Sequence, residues 1–201
     1  MSDYSAIYKD MTVAAHRAYT RGIQTGSGGN MSARIPGEDA MIVKNSGGSF
    51  GDCTEAGKGW IATQFDGKLL EGENGKPTRE WLLHAALLRE LPHVGAVVHC
   101  HSVYSIVWAA GHDVLPLTTW HSKLKMKTPI PVVDVPAAVV PAESLEDVVG
   151  LFRENPDLYG VILKGHGLVA IGKNAVDAEH AAELIEETAQ IAVLEQMLRK
   201  A

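Results

Sequence analysis

The chain has 201 residues, 46% of them hydrophobic and 21% charged, proportions of a soluble globular protein that exclude a disordered or collagen-like chain. Lys+Arg number 18 against Asp+Glu 24, a formal net charge of -6 without a basic cluster, and such a surface repels nucleic-acid backbones and anionic lipids. No apolar run reaches the ~18 residues of a membrane span, and the polar start Met1-Ser2-Asp3 lacks the pattern of a signal peptide. The two cysteines, Cys53 and Cys100, have neither disulfide-framework nor zinc-ribbon spacing. The expectation is a cytoplasmic chain folded as one domain, with no nucleic-acid or membrane partner.

Elements follow in chain order. Residues 3–24 carry Ile7, Met11, Ala14, Ala15, Ala18 and Tyr19 at the spacing that gives a helix one buried stripe. A glycine-rich loop, 25–30, leads to short strands at 31–35, 40–44 and 58–64, with Asp66-Gly67 turning the last of these into Lys68-Leu69-Leu70. After Pro77 a helix is expected over 79–91, with Thr78 as its N-cap and Pro92 as its end. Residues 96–102 read as a buried strand, 142–154 as a helix, 158–164 and 168–172 as strands. A long helix over 175–199 presents Ala178, Ala181, Ala182, Ile185, Ala189 and Ala192 on one face. Mixed alternation of this kind predicts helices on both sides of a central sheet.

The strongest chemical signal is His99-Cys100-His101. Side chains two apart on a strand share a face, so both imidazoles can converge on one metal ion, while Cys100 faces away as a small buried hydrophobe. His166 stands between two glycines after the strand 158–164, where missing side chains allow backbone to approach a site. Three histidines leave a coordination position open, the catalytic arrangement for zinc. An HxH pair alone is equally compatible with a structural or surface pair. Glu80 opens the helix after Pro77 and is either an acid/base or merely a complement to the helix dipole. Arg79 adds positive charge where helix N–H groups already favour an anion. The loops Gly26–Asn30 and Asn45–Ser49 have the composition of anion-binding backbone, or of ordinary loops. The other histidines read as surface or core residues, His84 and His121 being the two of interest.

The ordered set Gly29-Asn30-Met31-Ser32, Asn45-Ser46-Gly47, Pro77-Thr78-Arg79-Glu80, His99-Cys100-His101 and Lys164-Gly165-His166-Gly167-Leu168 resembles the class II aldolase/adducin family over residues 3–199. The resemblance implies a class II aldolase-like fold over residues 1–201, an α/β three-layer α/β/α sandwich around a mostly antiparallel mixed sheet. It implies metal ligands His99, His101 and His166, Glu80 as acid/base, and a phosphate site from Asn30, Ser46, Gly47, Thr78 and Arg79. The cofactor implied is a divalent metal, zinc first, with manganese or cobalt as alternatives. The implied reaction is retro-aldol cleavage of a phosphorylated ketose to dihydroxyacetone phosphate and an aldehyde through a metal-stabilised enediolate. Decarboxylation of a 3-oxo-tetronate 4-phosphate, epimerisation of a sugar phosphate and a non-catalytic adducin-like binding module are the alternatives. Where the family's fuculose-phosphate aldolases have a second serine this chain has Arg79, which leans toward decarboxylation. Where they have a tyrosine serving a neighbouring subunit, it has Trp120 followed by His121, a candidate replacement proton donor. A homotetramer with inter-subunit sites is the expected assembly.

Overall fold

The computed structural model describes residues 4–70 and 72–200, so residue 3 of the first expected helix lies outside the described residues. The chain runs α1 (Ser5–Thr20), β1 (Asn30–Arg34), β2 (Ala40–Lys44), β3 (Trp60–Gln64), α2 (Trp81–Glu90), β4 (Ala96–Cys100) and α3 (Val103–Ala109). It continues through β5 (Val114–Leu115), α4 (Trp120–Lys125), β6 (Ile130–Val133), α5 (Leu145–Glu154), β7 (Gly160–Leu163), β8 (Gly167–Gly172) and α6 (Ala175–Lys200). The strands form an eight-stranded sheet in the order β3-β2-β1-β4-β8-β7-β6-β5, antiparallel throughout except for β6 beside β7. The expected α/β class with a mostly antiparallel mixed sheet is therefore the observed one. Among the described residues no helix is long and apolar enough to cross a membrane.

The small-residue stripe of α6 explains its position. Ala178, Ala182, Ile185 and Ala189 are fully buried, and their short side chains let the helix lie close across β4 and β8, with α1 and α3 packed beside it. On the other face α2, paired with α5, covers β1, β2 and β4 through Leu83, Leu87 and Leu88. Adjacent residues of β4 show the two faces: the thiol of Cys100 is close to Glu179 and Glu186 of α6, whereas His99 turns toward Glu80 at the start of α2.

Several boundaries differ from expectation, mostly because a partner distant in sequence takes a backbone group. Helix α1 stops at Thr20 because Arg21 closes its last turn and Gly22 leaves it at φ +74°. Helix α2 begins at Trp81, not 79, and Thr78 is not its N-cap. Glu80 holds the cap position, and Thr78 makes a separate turn before it, its Oγ1 accepting from the Glu80 N–H (3.5 Å) and its carbonyl from the Trp81 N–H (3.1 Å), while its own N–H bonds the carbonyl of Lys44 (2.9 Å). Strand β4 ends at Cys100, and the N–H of His101 is taken by the side chain of Gln24 instead of a ladder partner (2.8 Å). After β3, among the described residues, only Leu69 bridges back, across a turn with Gly67 at φ +85°. Helices α3 and α4 and strands β5 and β6 were not expected. The N-terminus of α3 is capped from afar by Glu186 of α6, which accepts from the N–H groups of Tyr104 (2.8 Å) and Ser105 (2.9 Å), a stabilisation that no local pattern carries.

The sheet closes tightly where β8 begins. A Cβ added at Gly167 would lie 2.3 Å from the carbonyl oxygen of Cys100, a backbone atom that cannot move aside alone. Gly167→Ala is expected to destabilise the protein by about 1–3 kcal/mol, the usual magnitude for overpacking. Gly111→Ala, where nothing lies within 4 Å of the added atom, should stay within ~0.5 kcal/mol. Paired thermal or urea unfolding curves measure both.

Candidate active site

Antiparallel pairing brings the end of β2, the start of β1, the end of β4 and the start of β8 to one edge of the sheet. Register aligns Asn30 with His99 across β1 and β4, and His99 with Val169 across β4 and β8. The turn before β8, closed by the His166 N–H on Leu163 O (3.1 Å) with Gly165 at φ +67°, then sets His166 beside the other two histidines. Ring centroids are 4.9 Å apart for His99 and His101, 4.7 Å for His99 and His166, and 5.3 Å for His101 and His166.

The histidines are prepared as nitrogen donors. His99 Nδ1–H donates to the carbonyl of Leu168 (2.9 Å), so Nε2 keeps its lone pair, and that atom is buried without a hydrogen-bond partner. Nδ1 of His166 is likewise buried and unpartnered. Burial first, then the neighbouring His166 and His101, hold the pKa of His99 well below the ordinary imidazole value, and burial with His166 lowers that of His101. Orphaned buried nitrogens are costly unless something accepts their lone pairs. One ligand atom from each of the three residues lies within 4.8 Å of the others, so the donor set fits a divalent cation. Among the described residues no other group of three such side chains converges in this way.

Glu80 is 4% exposed and its carboxylate turns inward, away from the N–H groups of its own helix. Oε1 accepts from the Val140 N–H (3.2 Å), while Oε2 has no hydrogen bond and lies 3.4 Å from His99 Nε2. That geometry is not the surface arrangement of a residue that only complements a helix dipole.

A cavity of about 240 Å³ opens beside the triad. Asn30, Ser46, Gly47, Thr78 and Arg79 line it together with Glu80 and the histidines, so the structure gathers every candidate from the sequence except His121. Backbone pairing explains how distant loops meet: Ser46 N–H bonds Lys76 O (2.8 Å) and Thr78 N–H bonds Lys44 O (2.9 Å), stitching the two anion-suited segments side by side. His121 is exposed on α4 next to Trp120, itself 87% exposed, and does not line this cavity. A larger groove, about 490 Å³ beside Val94, Leu158 and Ile171, opens at the other end of β4 and β8 and holds no comparable cluster.

Sequence reasoning missed Lys44, Gln24 and the role of His84. Lys44 ends an apolar strand yet is 2% exposed, its ammonium donating to the carbonyls of Gly48, Asn45 (3.4 Å) and Ser27 (3.5 Å) at the cavity wall. Burial lowers its pKa. A cation at the end of the run Ala40-Met41-Ile42-Val43-Lys44, just before Asn45-Ser46-Gly47, was the available signal. Gln24 gave none, being a single polar residue before a glycine loop. His84 is fully buried between Ser32 and Asn30, and burial pushes its pKa down to about 3.

That burial has a sign in the pH dependence. The unfolded imidazole takes a proton as pH falls below its ordinary 6.5, whereas the folded one resists until about 3, so stability is lost progressively across that window. His84→Gln should make the fall in unfolding free energy between pH 6 and 4 shallower by about 1.4 kcal/mol per pH unit. Urea melts of both proteins at several pH values provide the test, and parallel curves would contradict it.

A family model described as the class II aldolase and adducin N-terminal domain matches residues 9–193. An L-fuculose phosphate aldolase of Methanococcus vannielii is 31% identical over 183 residues, covering 91% of this chain and 93% of that protein. An L-ribulose-5-phosphate 4-epimerase, UlaF, of Salmonella paratyphi B is 30% identical, covering 85% of this chain and 77% of that one. Among solved structures, L-fuculose-1-phosphate aldolase of Thermus thermophilus superposes with a TM-score of 0.83 over 97% of this chain and 96% of its own, at 20% identity.

Proposed function

The chain belongs to the class II aldolase and adducin family, and from that premise we propose that it is a metal-dependent, fuculose-phosphate-aldolase-like enzyme, cleaving a phosphorylated ketose to dihydroxyacetone phosphate and an aldehyde. The observation that carries the reading is the unpartnered Oε2 of Glu80, 3.4 Å from a histidine nitrogen that is also unpartnered, in a cavity whose other wall suits phosphate. His99, His101 and His166 would hold a divalent ion, zinc by preference for three imidazoles, with manganese or cobalt as alternatives. When bound, such an ion supplies an electron sink for a carbonyl oxygen as a carbon–carbon bond breaks. Glu80 carries a proton to or from the reacting carbon or the adjacent hydroxyl through its free oxygen. Asn30, Ser46, Gly47, Thr78 and Arg79, with the charge of Lys44 behind them, hold the phosphate and so orient the reacting atoms. His121 acts as proton donor in a neighbouring subunit of a homotetramer, a role supported by its exposure on α4 and its absence from its own chain's cavity.

Three outcomes are expected. Glu80→Gln should retain metal and lose ~10²-fold or more in kcat, the size of a missing general acid/base. His99→Ala or His166→Ala should lose most of the bound metal by elemental analysis, and unchanged metal in both would end the ligand assignment. Light scattering combined with activity should find turnover only in the oligomer, and a fully active monomer would refute the role of His121.

One observation favours a second reading, decarboxylation of a phosphorylated 3-oxo acid: the guanidinium of Arg79 belongs to the cavity wall beside Thr78, where it can bind a carboxylate as readily as a phosphate. A turnover screen against phosphorylated ketoses and 3-oxo acids, detecting triose phosphate and carbon dioxide separately, decides between them. If Arg79 holds only phosphate, Arg79→Ser raises KM alone; if it orients a departing carboxylate, kcat for decarboxylation falls too.

A further inference from the structure

Beneath the anion-suited wall of the cavity runs a short chain of buried polar groups. Asn30 and Ser32 are two apart on β1 and share the face toward α2, and His84, one helical turn after Glu80, reaches between them. Ser32 Oγ lies 2.7 Å from His84 Nδ1, and His84 Nε2 bonds Asn30 Oδ1. Ser32 and His84 are 0% exposed and Asn30 is 6% exposed. Burial keeps the ring neutral, and a neutral imidazole owns a single N–H, so the direction of the whole chain is set once one end is known. The carbonyl end of the Asn30 amide faces the ring. Nε2 therefore carries the proton and donates to Asn30, and Nδ1 accepts from the hydroxyl of Ser32. With its oxygen engaged, Asn30 has only its amino end left for the cavity that it lines, and Nδ2 has no protein partner among the described residues.

We propose that His84 is a positioning residue which locks the amide of Asn30 with its N–H donors toward the cavity, so that this wall selects a ligand made only of acceptors, a phosphate or carboxylate, over a neutral hydroxyl. The proposal rests on the reading of Asn30 as part of the phosphate site. An asparagine amide is nearly symmetric in shape, and without the lock it turns end over end. In the wrong orientation it presents an oxygen to an anion, losing a charge-assisted hydrogen bond and adding repulsion. Leucine at 84 would fill similar space and supply neither donor nor acceptor. Glutamine would keep an N–H at the reach of Nε2.

The experiment titrates the purified, metal-containing chain and its variants with inorganic phosphate by calorimetry, alongside steady-state kinetics on the best phosphorylated substrate. For His84→Leu we expect phosphate affinity to fall about tenfold, and KM to rise in step while kcat stays within about threefold, in keeping with one lost hydrogen bond to a charged group. His84→Gln should recover affinity to within about threefold of the parent. Asn30→Ala separates the two levels of the argument. If it binds phosphate as well as the parent does, the assignment of Asn30 to the phosphate site is wrong. If it binds weakly while His84→Leu binds normally, the assignment stands and the lock is overturned. A loss of kcat in His84→Leu with unchanged phosphate affinity also overturns it. Should His84→Leu fail to fold, long-range 1H–15N spectra of the unaltered protein read the tautomer directly: a proton on Nε2 is expected, and a proton on Nδ1 would overturn the lock.

Discussion

Everything at the active edge depends on how closely β8 can approach the end of β4. Gly167 has no side chain where the carbonyl of Cys100 passes, and that absence lets Leu168 pair with Cys100 and Val169 with His99 in unbroken register. The same register delivers the carbonyl of Leu168 to His99 Nδ1, which decides the tautomer, and leaves the turn before it directly beside the HxH pair. On the other side of β4, β1 aligns Asn30 with His99. One tight crossing thus fixes both the donor nitrogens and their distance from the anion-suited wall.

The site is also where the molecule departs most from the rules that stabilise the rest of it. The core between α2 and the sheet is built of Leu83, Leu87, Leu88 and Val97, all fully buried, yet the same layer contains His84, His99, Glu80 and Lys44 at 4% exposure or less. Three polar atoms there, on Glu80, His99 and His166, have no partner, each a penalty of about 1–3 kcal/mol until a ligand satisfies it. Such groups persist because the surrounding sheet and helix over-determine their positions, as expected where function opposes stability.

Most of the sheet and the long helices were legible because period and composition carry them: the alanine stripe of α6 and the apolar run of β4 lie where their patterns put them. His99, His101 and His166 were legible from their spacing and from the glycines that flank His166, whereas Glu80 and the residues Asn30, Ser46, Gly47, Thr78 and Arg79 came together only through the resemblance to a family. What stayed hidden was long-range. Seven residues of α3 are too few for a period to register, and Glu186, 81 residues away from Ser105, holds its start. The burial of Lys44 depends on carbonyls supplied by Ser27 and Gly48, and the backbone bond between Thr78 and Lys44 that joins the two loops has no local signature. In each case a tertiary partner outweighed the local preference.

The two walls of the cavity are built by different parts of the chain. The nitrogen cluster comes from the β4–β8 crossing, whereas the opposite wall comes from the start of β1, the loop after β2 and the turn before α2, stitched together by their own backbone bonds. The walls adjoin through the pairing of Asn30 with His99 and the approach of Glu80 to the same ring. Exchanges such as Arg79 for a hydroxyl residue therefore act on one wall while leaving the other mechanically undisturbed. An architecture divided this way lets the anion-suited wall change its side chains without moving the nitrogen cluster, so what is gripped and what could hold a metal are separable in the fold.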